Sequence, residues 1–503
     1  MKPLLKTICL SCLFAFAPAT WAAEWKSAFT VPVGVGYTDN ADLQPDSKKT
    51  SDFFWRTAPG FSVLANAPRW NTSVNYSYLW ERHSKDDKHS DNHRLDARFG
   101  SELVDNLFFF DANAAISQVR ENQLGPIGFE TQNLNDVFTW RVQPALKRRF
   151  ANTSQIGASV AAYGLDATGS SSLQSGAGRI VAANYSSGGL MDALRLDLLA
   201  SDDRFQYDQL PYSNAVRDDT LKQSASARVT SLMSRTITPY VSYGYENIED
   251  VTLRRQPSES FWNAGFVWLP SVRTKLDANF GKRFFGDTRN IAFTHQARST
   301  RWLLSYVQDL RSGQEDVLVP SSVNIFNQWN ASLSSVIPDP IARASVVRAL
   351  MDSQGISPTS ILATRNYVDK KLAASVDYTT PRTTSRLDLF ARDSDASEVS
   401  VPVPPSAVNG GLGDRTRQKG ASLNWNYRLG PKLQLSSVIG LIDESYPDVS
   451  ISDNNEFVRL GLTYQMSRYI SANSEIRRVQ RNSNIDTREY TENSIVLSVI
   501  GSF

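Results

Sequence analysis

The stretch Ser494-Ile495-Val496-Leu497-Ser498-Val499-Ile500-Gly501-Ser502-Phe503 constrains the fold more than any other part of the chain. Read as a strand, whose side chains alternate between two faces, it sets Ile495, Leu497, Val499 and Phe503 on one side and Ser494, Ser498 and Ser502 on the other. Such a strand stands between an apolar phase and an aqueous one. As the edge of a soluble sheet it would offer unpaired backbone to any passing strand. In a sheet closed on itself the edge disappears, and the apolar face meets lipid instead.

An alternating strand that ends on Phe resembles the C-terminal signal by which Gram-negative outer-membrane barrels are handed to their barrel-assembly machinery. Leu497, Val499 and Phe503 would be the signal residues; Gly501 stands where an aromatic is common, and Ile500 interrupts the polar face. The other terminus agrees. Lys2 and Lys6, the apolar run Ile8 to Ala17 and the small-residue site Ala19-Thr20-Trp21-Ala22 form the three regions of a secretory signal peptide. Residues 1–22 are therefore expected to be removed, leaving 23–503 as the barrel. Both cysteines, Cys9 and Cys12, fall inside that peptide, so the mature chain would carry no thiol and no disulfide. Cys9 also stands where a lipid-attachment motif has Leu, which argues against an anchor at Cys12. No other apolar run approaches the length of a spanning helix, about 18 residues or more.

The 53 Lys and Arg against 51 Asp and Glu leave a formal charge of +2. No strong field steers a polyanion such as nucleic acid. A hydrophobic fraction of 41% is low for a helical membrane protein but expected of a barrel, in which only every second strand residue faces lipid. From Trp25 onward, alternating segments are joined in turn by tight turns and long polar loops. Tight turns are read at Asn66-Ala67-Pro68, Val104-Asp105-Asn106, Ala151-Asn152, Ser187-Gly188-Gly189, Leu269-Pro270-Ser271, Pro381-Arg382 and Leu429-Gly430-Pro431. Long polar stretches are read at 82–92, 121–135, 168–178, 206–219, 394–418 and 443–455. Counting each segment once predicts a single antiparallel transmembrane barrel of about 22 strands, within a range of 16 to 22, with short turns in the periplasm and long loops outside. Trp70, Tyr78, Trp80, Trp140, Trp262, Trp268, Trp302, Trp425 and Tyr427 fall near strand ends, as interfacial girdles do.

One stretch breaks the rhythm. Residues 311–364 lack alternation, and a connection of that length is uncommon unless functional. Within it Asp339-Pro340 and Gly355 bracket a helix whose apolar face would be Ala344, Val347, Leu350 and Met351. The expectation is a plug or lid on the extracellular side, because a barrel this wide needs its lumen filled or guarded.

Ser260-Phe261-Trp262, Gly265-Phe266, Trp268, Pro270, Arg273-Thr274, Gly281-Lys282-Arg283-Phe284-Phe285-Gly286, Arg298 and Trp302, together with Tyr37-Thr38-Asp39-Asn40, carry a family resemblance. The chain resembles, along essentially its whole mature length, the porin-like outer-membrane family associated with the exosortase (PEP-CTERM) sorting and exopolysaccharide systems of Gram-negative bacteria. The resemblance implies a location in the outer membrane and a genomic association with exopolysaccharide and its periplasmic export apparatus. It supplies no catalytic residues.

Charged residues recur at strand spacing in Arg94, Asp96 and Arg98; Arg195 and Asp197; Lys275, Asp277 and Arg283; and Arg386, Asp388 and Arg392. On the lipid face an Arg or Lys near the midplane would cost about 2 to 4 kcal/mol, so these residues belong in the lumen. There they either line a wet channel or pair between strands and stiffen the wall. The four histidines limit enzymology. His295 with Ser299 or Ser305 has no flanking catalytic motif, and His83, His89 and His93 with Asp86, Asp87 and Asp91 match no metal-site spacing and read as loop charge. Neither a phosphate-binding glycine loop nor a Cys cluster is present, so no cofactor is implied. The expected function is a conduit or accessory protein for exopolysaccharide export, not an enzyme. The competing readings are a structural or adhesive barrel without transport and a rim-sited hydrolase.

Overall fold

The computed structural model describes residues 23–85, 89–120, 125–126, 134–151, 153–167, 174–188, 193–209, 218–250, 252–312, 366–400 and 414–503. The signal peptide, the helix proposed around 341–351 with Val347, Leu350 and Met351, and nearly all of the insert lie outside these residues.

The chain forms one closed antiparallel β-barrel of 22 strands. The first eight are β1 Glu24–Thr38, β2 Asp52–Thr57 continued by Gly60–Ala67, β3 Trp70–His83, β4 His89–Val104, β5 Phe108–Arg120, β6 Leu134–Arg149, β7 Gln155–Asp166 and β8 Gly176–Ser186. Next come β9 Leu194–Tyr207, β10 Asp219–Ser231, β11 Ile237–Asp250, β12 Ser258–Ser271, β13 Thr274–Arg283, β14 Gly286–Gln296 and β15 Thr300–Ser312. The last seven are β16 Asn366–Thr379, β17 Thr383–Asp395, β18 Arg415–Arg428, β19 Leu433–Tyr446, β20 Ile451–Gln465, β21 Ile470–Ser483 and β22 Tyr490–Ser502. Each strand pairs with its sequence neighbours, and β1 closes the ring on β22 from Thr30↔Ser502 to Thr38↔Ser494. Phe503 extends the closure by exchanging backbone hydrogen bonds of 2.9 and 2.8 Å with Phe29.

The interruption in β2 has a local cause. Proline has no N–H to give to a ladder, so Pro59 breaks the pairing, yet its carbonyl still accepts from the Tyr78 amide at 3.0 Å. Val33↔Thr57 and Thr30↔Gly60 keep one register across the gap, which makes the two segments a single strand.

The outward face carries the exposed apolar side chains, among them Val33, Val35, Leu198, Phe280, Leu389, Ile439, Leu441, Leu497 and Val499. All of the girdle aromatics predicted from sequence occupy outward positions. Inward, aromatic rings lie flat over glycines of the adjacent strand. A Cβ at Gly440 would sit 1.8 Å from Phe457 Cζ, and one at Gly36 would sit 2.2 Å from Phe54 Cζ. Only glycine leaves room for the ring there.

Two sequence expectations need correcting. Leu269-Pro270-Ser271 is not the turn; β12 runs through it to Ser271, with an irregular register after Trp268, and the chain reverses at Val272-Arg273. The polar stretches 82–92 and 443–455 are mostly strand, since β3 reaches His83, β4 starts at His89, and β19 and β20 meet across only Pro447 to Ser450. Strands that rise beyond the apolar belt carry polar residues on both faces, the inward ones such as His83, Glu444, Asp453 and Asn455 being buried, so hydrophobic alternation vanishes while the ladder continues. The long-loop end also holds one tight hairpin, at Arg283–Gly286, where Gly286 has φ of +122°.

Candidate functional site

The lumen wall is the candidate site, and its charged residues sit in two kinds of surroundings. Arg94, Asp96 and Arg98 alternate with outward Leu95, Ala97 and Phe99, so they lie on the inward face of β4; Arg98 bonds Asp96 at 3.1 Å. On β9, Arg195 bonds Asp197 at 3.0 Å, and Ser186 donates to the same carboxylate at 2.6 Å. Both pairs are same-strand neighbours two residues apart and stay partly open, with side-chain exposures of 36% and 21% for the first and 41% and 31% for the second.

The remaining candidates also occupy inward positions. Asp277 accepts from the Tyr240 hydroxyl at 3.2 Å, and Lys275 is exposed nearer the short-turn end. Arg283 reaches Glu246 at 2.5 Å and Asp309 at 2.7 Å, clasping strands on both sides of its short hairpin. Arg386 is held by Asp377 at 3.3 Å and Asp388 at 2.8 Å, and Arg392 by Asp369 at 2.7 Å. Glu246, Asp309, Asp369 and Asp377 were missed by the sequence reading, because each pairs with an arginine on another strand.

A denser network, of which the sequence reading names only His83 and Thr38 and neither as part of such a network, lines the seam where the ring closes. Arg459 and Arg477 face each other across the β20–β21 ladder, a like-charge pair that is unfavourable alone. Glu475, one inward position nearer the short-turn end, accepts from both: Arg459 is in direct contact, and Arg477 donates at 3.0 and 2.6 Å. Arg477 also acts electrostatically on Glu81 of β3 and Glu492 of β22. Glu81 in turn forms an ion pair with Arg56 at 3.2 Å, and Thr38 donates to Glu492 at 3.0 Å. Above these, His83 lies 3.4 Å from Asp52 and 3.7 Å from Glu81, and Asp453 gathers Arg488 and Ser483. The spacing Glu475-x-Arg477-x-x-x-Arg481, at alternate positions of one strand, was a signal that could have found it.

At the long-loop end, loop side chains fold inward. Leu43, from the loop after β1, packs on Val438, Ile442, Phe457, Val479 and Tyr490. Across the mouth, Leu253 pairs with Ser400 in an isolated antiparallel bridge, and Arg254 Nε donates to the Ser400 carbonyl at 2.7 Å. Ser400 Oγ donates to the Asn366 carbonyl at 2.5 Å, and Asn366 Nδ2 to Asp250 at 2.6 Å and Thr252 at 2.8 Å. This strap joins loops anchored on β11 and β17. The hairpin that carries the most specific part of the family resemblance sits beneath it, with Phe284 and Phe285 against the cluster of Ile248, Leu253 and Val399.

His295 Nδ1 hydrogen-bonds Thr274 at 2.9 Å near a short turn, and His93 bonds the Tyr76 hydroxyl at 2.8 Å on the outward face. Among the described residues no group of three His, Cys, Asp or Glu is placed to hold a metal ion; Asp86 and Asp87 lie outside them.

The last five strands, residues 416–503, match a family model described as "Putative beta-barrel porin 2". Over those strands the chain is similar to porin-like outer-membrane barrels. No curated protein matches the chain. Solved structures similar to it include the FrpB iron transporter from Neisseria meningitidis, 8% identical, with a TM-score of 0.48 over 95% of this chain and 83% of that one. The siderophore receptor PirA from Acinetobacter baumannii is 8% identical, with a TM-score of 0.46 over 94% and 80%. OpdK from Pseudomonas aeruginosa, solved with vanillate, is 12% identical, with a TM-score of 0.32 over 95% and 99%.

Proposed function

We propose that the barrel sits in the Gram-negative outer membrane and serves as a conduit, or the accessory of a conduit, for a polar polymer of low charge, an exopolysaccharide leaving an exosortase-associated system. The observation that carries this reading is the sign balance of the wall. Arg98 with Asp96, Arg195 with Asp197 and Arg386 with Asp377 and Asp388 set cations beside carboxylates on the inward face. A lumen lined in this way offers hydrogen-bond donors and acceptors to hydroxyl-rich cargo without the excess of cations that would draw a polyanion. The resemblance to exosortase-associated barrels supports the choice of polymer, and the strap over the mouth suits a route that has to be guarded. The long insert remains the proposed plug or lid, and Leu497, Val499 and Phe503 the proposed assembly signal.

The test is deletion of the gene with measurement of polymer inside and outside the cell. Polymer trapped in the periplasm, restored to the medium by the wild-type gene, is the expected result. Normal secretion without help from a second barrel would overturn the conduit. One observation favours a second reading, a structural barrel: the seam network and the Leu43 cluster fill part of the lumen. Under that reading the purified protein carries no current in planar bilayers, whereas the conduit conducts.

A further inference from the structure

The net charge of +2 conceals an uneven placement. Six successive short turns, from β10–β11 to β20–β21, each carry an exposed cation: Arg235, Arg273, Arg298, Arg382, Lys432 and Arg468. Every residue of these turns is described, and none is an acid. None of the six cations pairs with a carboxylate among the described residues. The acids closest to them in sequence, Asp277 and Asp377, face inward, onto Tyr240 and Arg386. The arc is bordered on one side by the Phe503 carboxylate and on the other by the β8–β9 turn, whose Asp192 lies outside the described residues. Residues 1–22 contain no acid, and every other undescribed segment begins and ends at the long-loop end.

The same turns hold apolar side chains that nothing covers. Met233 and Val272 are 84% and 104% exposed, and Leu429 and Met466 are 51% and 54% exposed. Water disfavours such tips, whereas a membrane interface accepts both partners, the apolar group toward the acyl boundary and the cation among the head groups. Outward aromatic rings fix the level. Trp268, Trp302, Tyr378, Tyr427 and Tyr464 each stand four or five residues from the cation of the same hairpin. At an ordinary strand tilt that sets the cations about 5 to 10 Å beyond the rings along the membrane normal. The polar layer outside the hydrocarbon is about 5 to 8 Å deep, so the cations reach the phosphates.

We propose that this arc gathers anionic glycerophospholipids of the periplasmic leaflet, with a phosphate at each turn. Lys and Arg at a membrane surface are drawn to anionic lipid, and guanidinium recognises phosphate oxygens bidentately. Consecutive turns are two strands apart, about 10 to 13 Å, which exceeds the screening length of about 8 Å at physiological salt. The turns therefore act as separate contacts and not as one pocket. An acidic periplasmic partner would account for the cations but not for the bare apolar tips, nor for the constant spacing from the aromatic rings. The proposal rests on the outer-membrane reading above, with the short turns in the periplasm, and is independent of whether the lumen conducts.

The test is electron spin resonance of the full barrel in phosphatidylcholine vesicles, with trace spin-labelled phosphatidylglycerol or phosphatidylcholine as the probe. The wild type should hold phosphatidylglycerol at least about threefold more strongly, and that preference should collapse in 1 M salt, where the screening length is about 3 Å. R235Q/R273Q/R298Q should lose about half of the preference, and adding R382Q/K432Q/R468Q should abolish it, in barrels that keep heat-modifiable migration. Lysine at the five arginine positions should preserve it. R289Q/R417Q, which removes exposed cations at the long-loop end, should behave as the wild type. The salt arm needs no variant, so a misfolded one leaves the question decidable. Equal binding of the two probes, a preference that survives 1 M salt or the six substitutions, or its loss in R289Q/R417Q would overturn the lipid contact. Ser234→Cys should resist a membrane-impermeant maleimide in intact cells; labelling there would overturn the periplasmic placement. Normal polymer secretion by the deletion strain would remove the conduit and leave the lipid result untouched, so the two ideas fail separately.

Discussion

Inside the barrel, the seam formed by β20 to β22 with β2 and β3 and the wall from β4 to β9 use the same pairing of arginine with carboxylate in different surroundings. At the seam, Glu475 and Arg477 are each 7% exposed, whereas Arg195 and Asp197 are 41% and 31% exposed. The geometry of the individual bonds is alike, so the difference lies in the solvent. A dry pair cannot exchange its partner for water, and losing one member strands the other at a cost of about 3 to 5 kcal/mol. A wet pair contributes about 0 to 1 kcal/mol and leaves its charge available to whatever passes. The seam therefore holds the ring, and the open wall is where cargo would be felt.

The sharpest test of this division is Glu475→Gln. It leaves Arg459 and Arg477 facing each other without their shared negative charge, and should lower barrel stability by about 3 to 5 kcal/mol, read as a fall in the temperature at which heat-modifiable migration is lost. Stability within 1 kcal/mol of wild type would show that the seam is wetter than it is drawn. The next effect should come from Gly440→Val, which drives a side chain into the ring of Phe457 beside the Leu43 cluster. Overpacking of this kind costs about 1 to 3 kcal/mol, and urea unfolding in detergent would measure it. Smallest in stability, under about 1 kcal/mol, is Asp197→Asn on the open wall. Its readout lies in transport: an unbalanced Arg195 should move the reversal potential of a salt gradient toward anion selectivity. If Asp197→Asn proved as destabilising as Glu475→Gln, the comparison would collapse.

The sequence made the barrel legible because strands that face lipid must alternate, and Leu433, Leu435, Ile439 and Leu441 against Gln434, Ser436 and Gly440 leave no other choice of period. Where both faces are polar, as from Asp453 to Glu456, the pattern carries no information about where the strand ends. Same-strand pairs such as Arg195 and Asp197 could be read directly. Arg56 with Glu81 could not, because it depends on which residues stand side by side across a ladder, and the electrostatic link of Arg477 to Glu81 could not, because residues near opposite ends of the chain meet only after the ring closes. The contacts of Gly36 with Phe54 and of Gly440 with Phe457 likewise depend on which residues stand side by side across a ladder.

The pairing of Thr30–Thr38 with Ser494–Ser502 also sets a timetable. Roughly 450 residues separate the two partners, and bringing them together first would cost about 5 kcal/mol in loop entropy alone, so the hairpins between them have to be laid down before the two ends can join. Until then β1 waits with an open flank, and Arg477 is short of Glu81, one of its carboxylate neighbours. An unfinished sheet of this sequence thus differs from a finished one in the pairing of its charges as well as in shape.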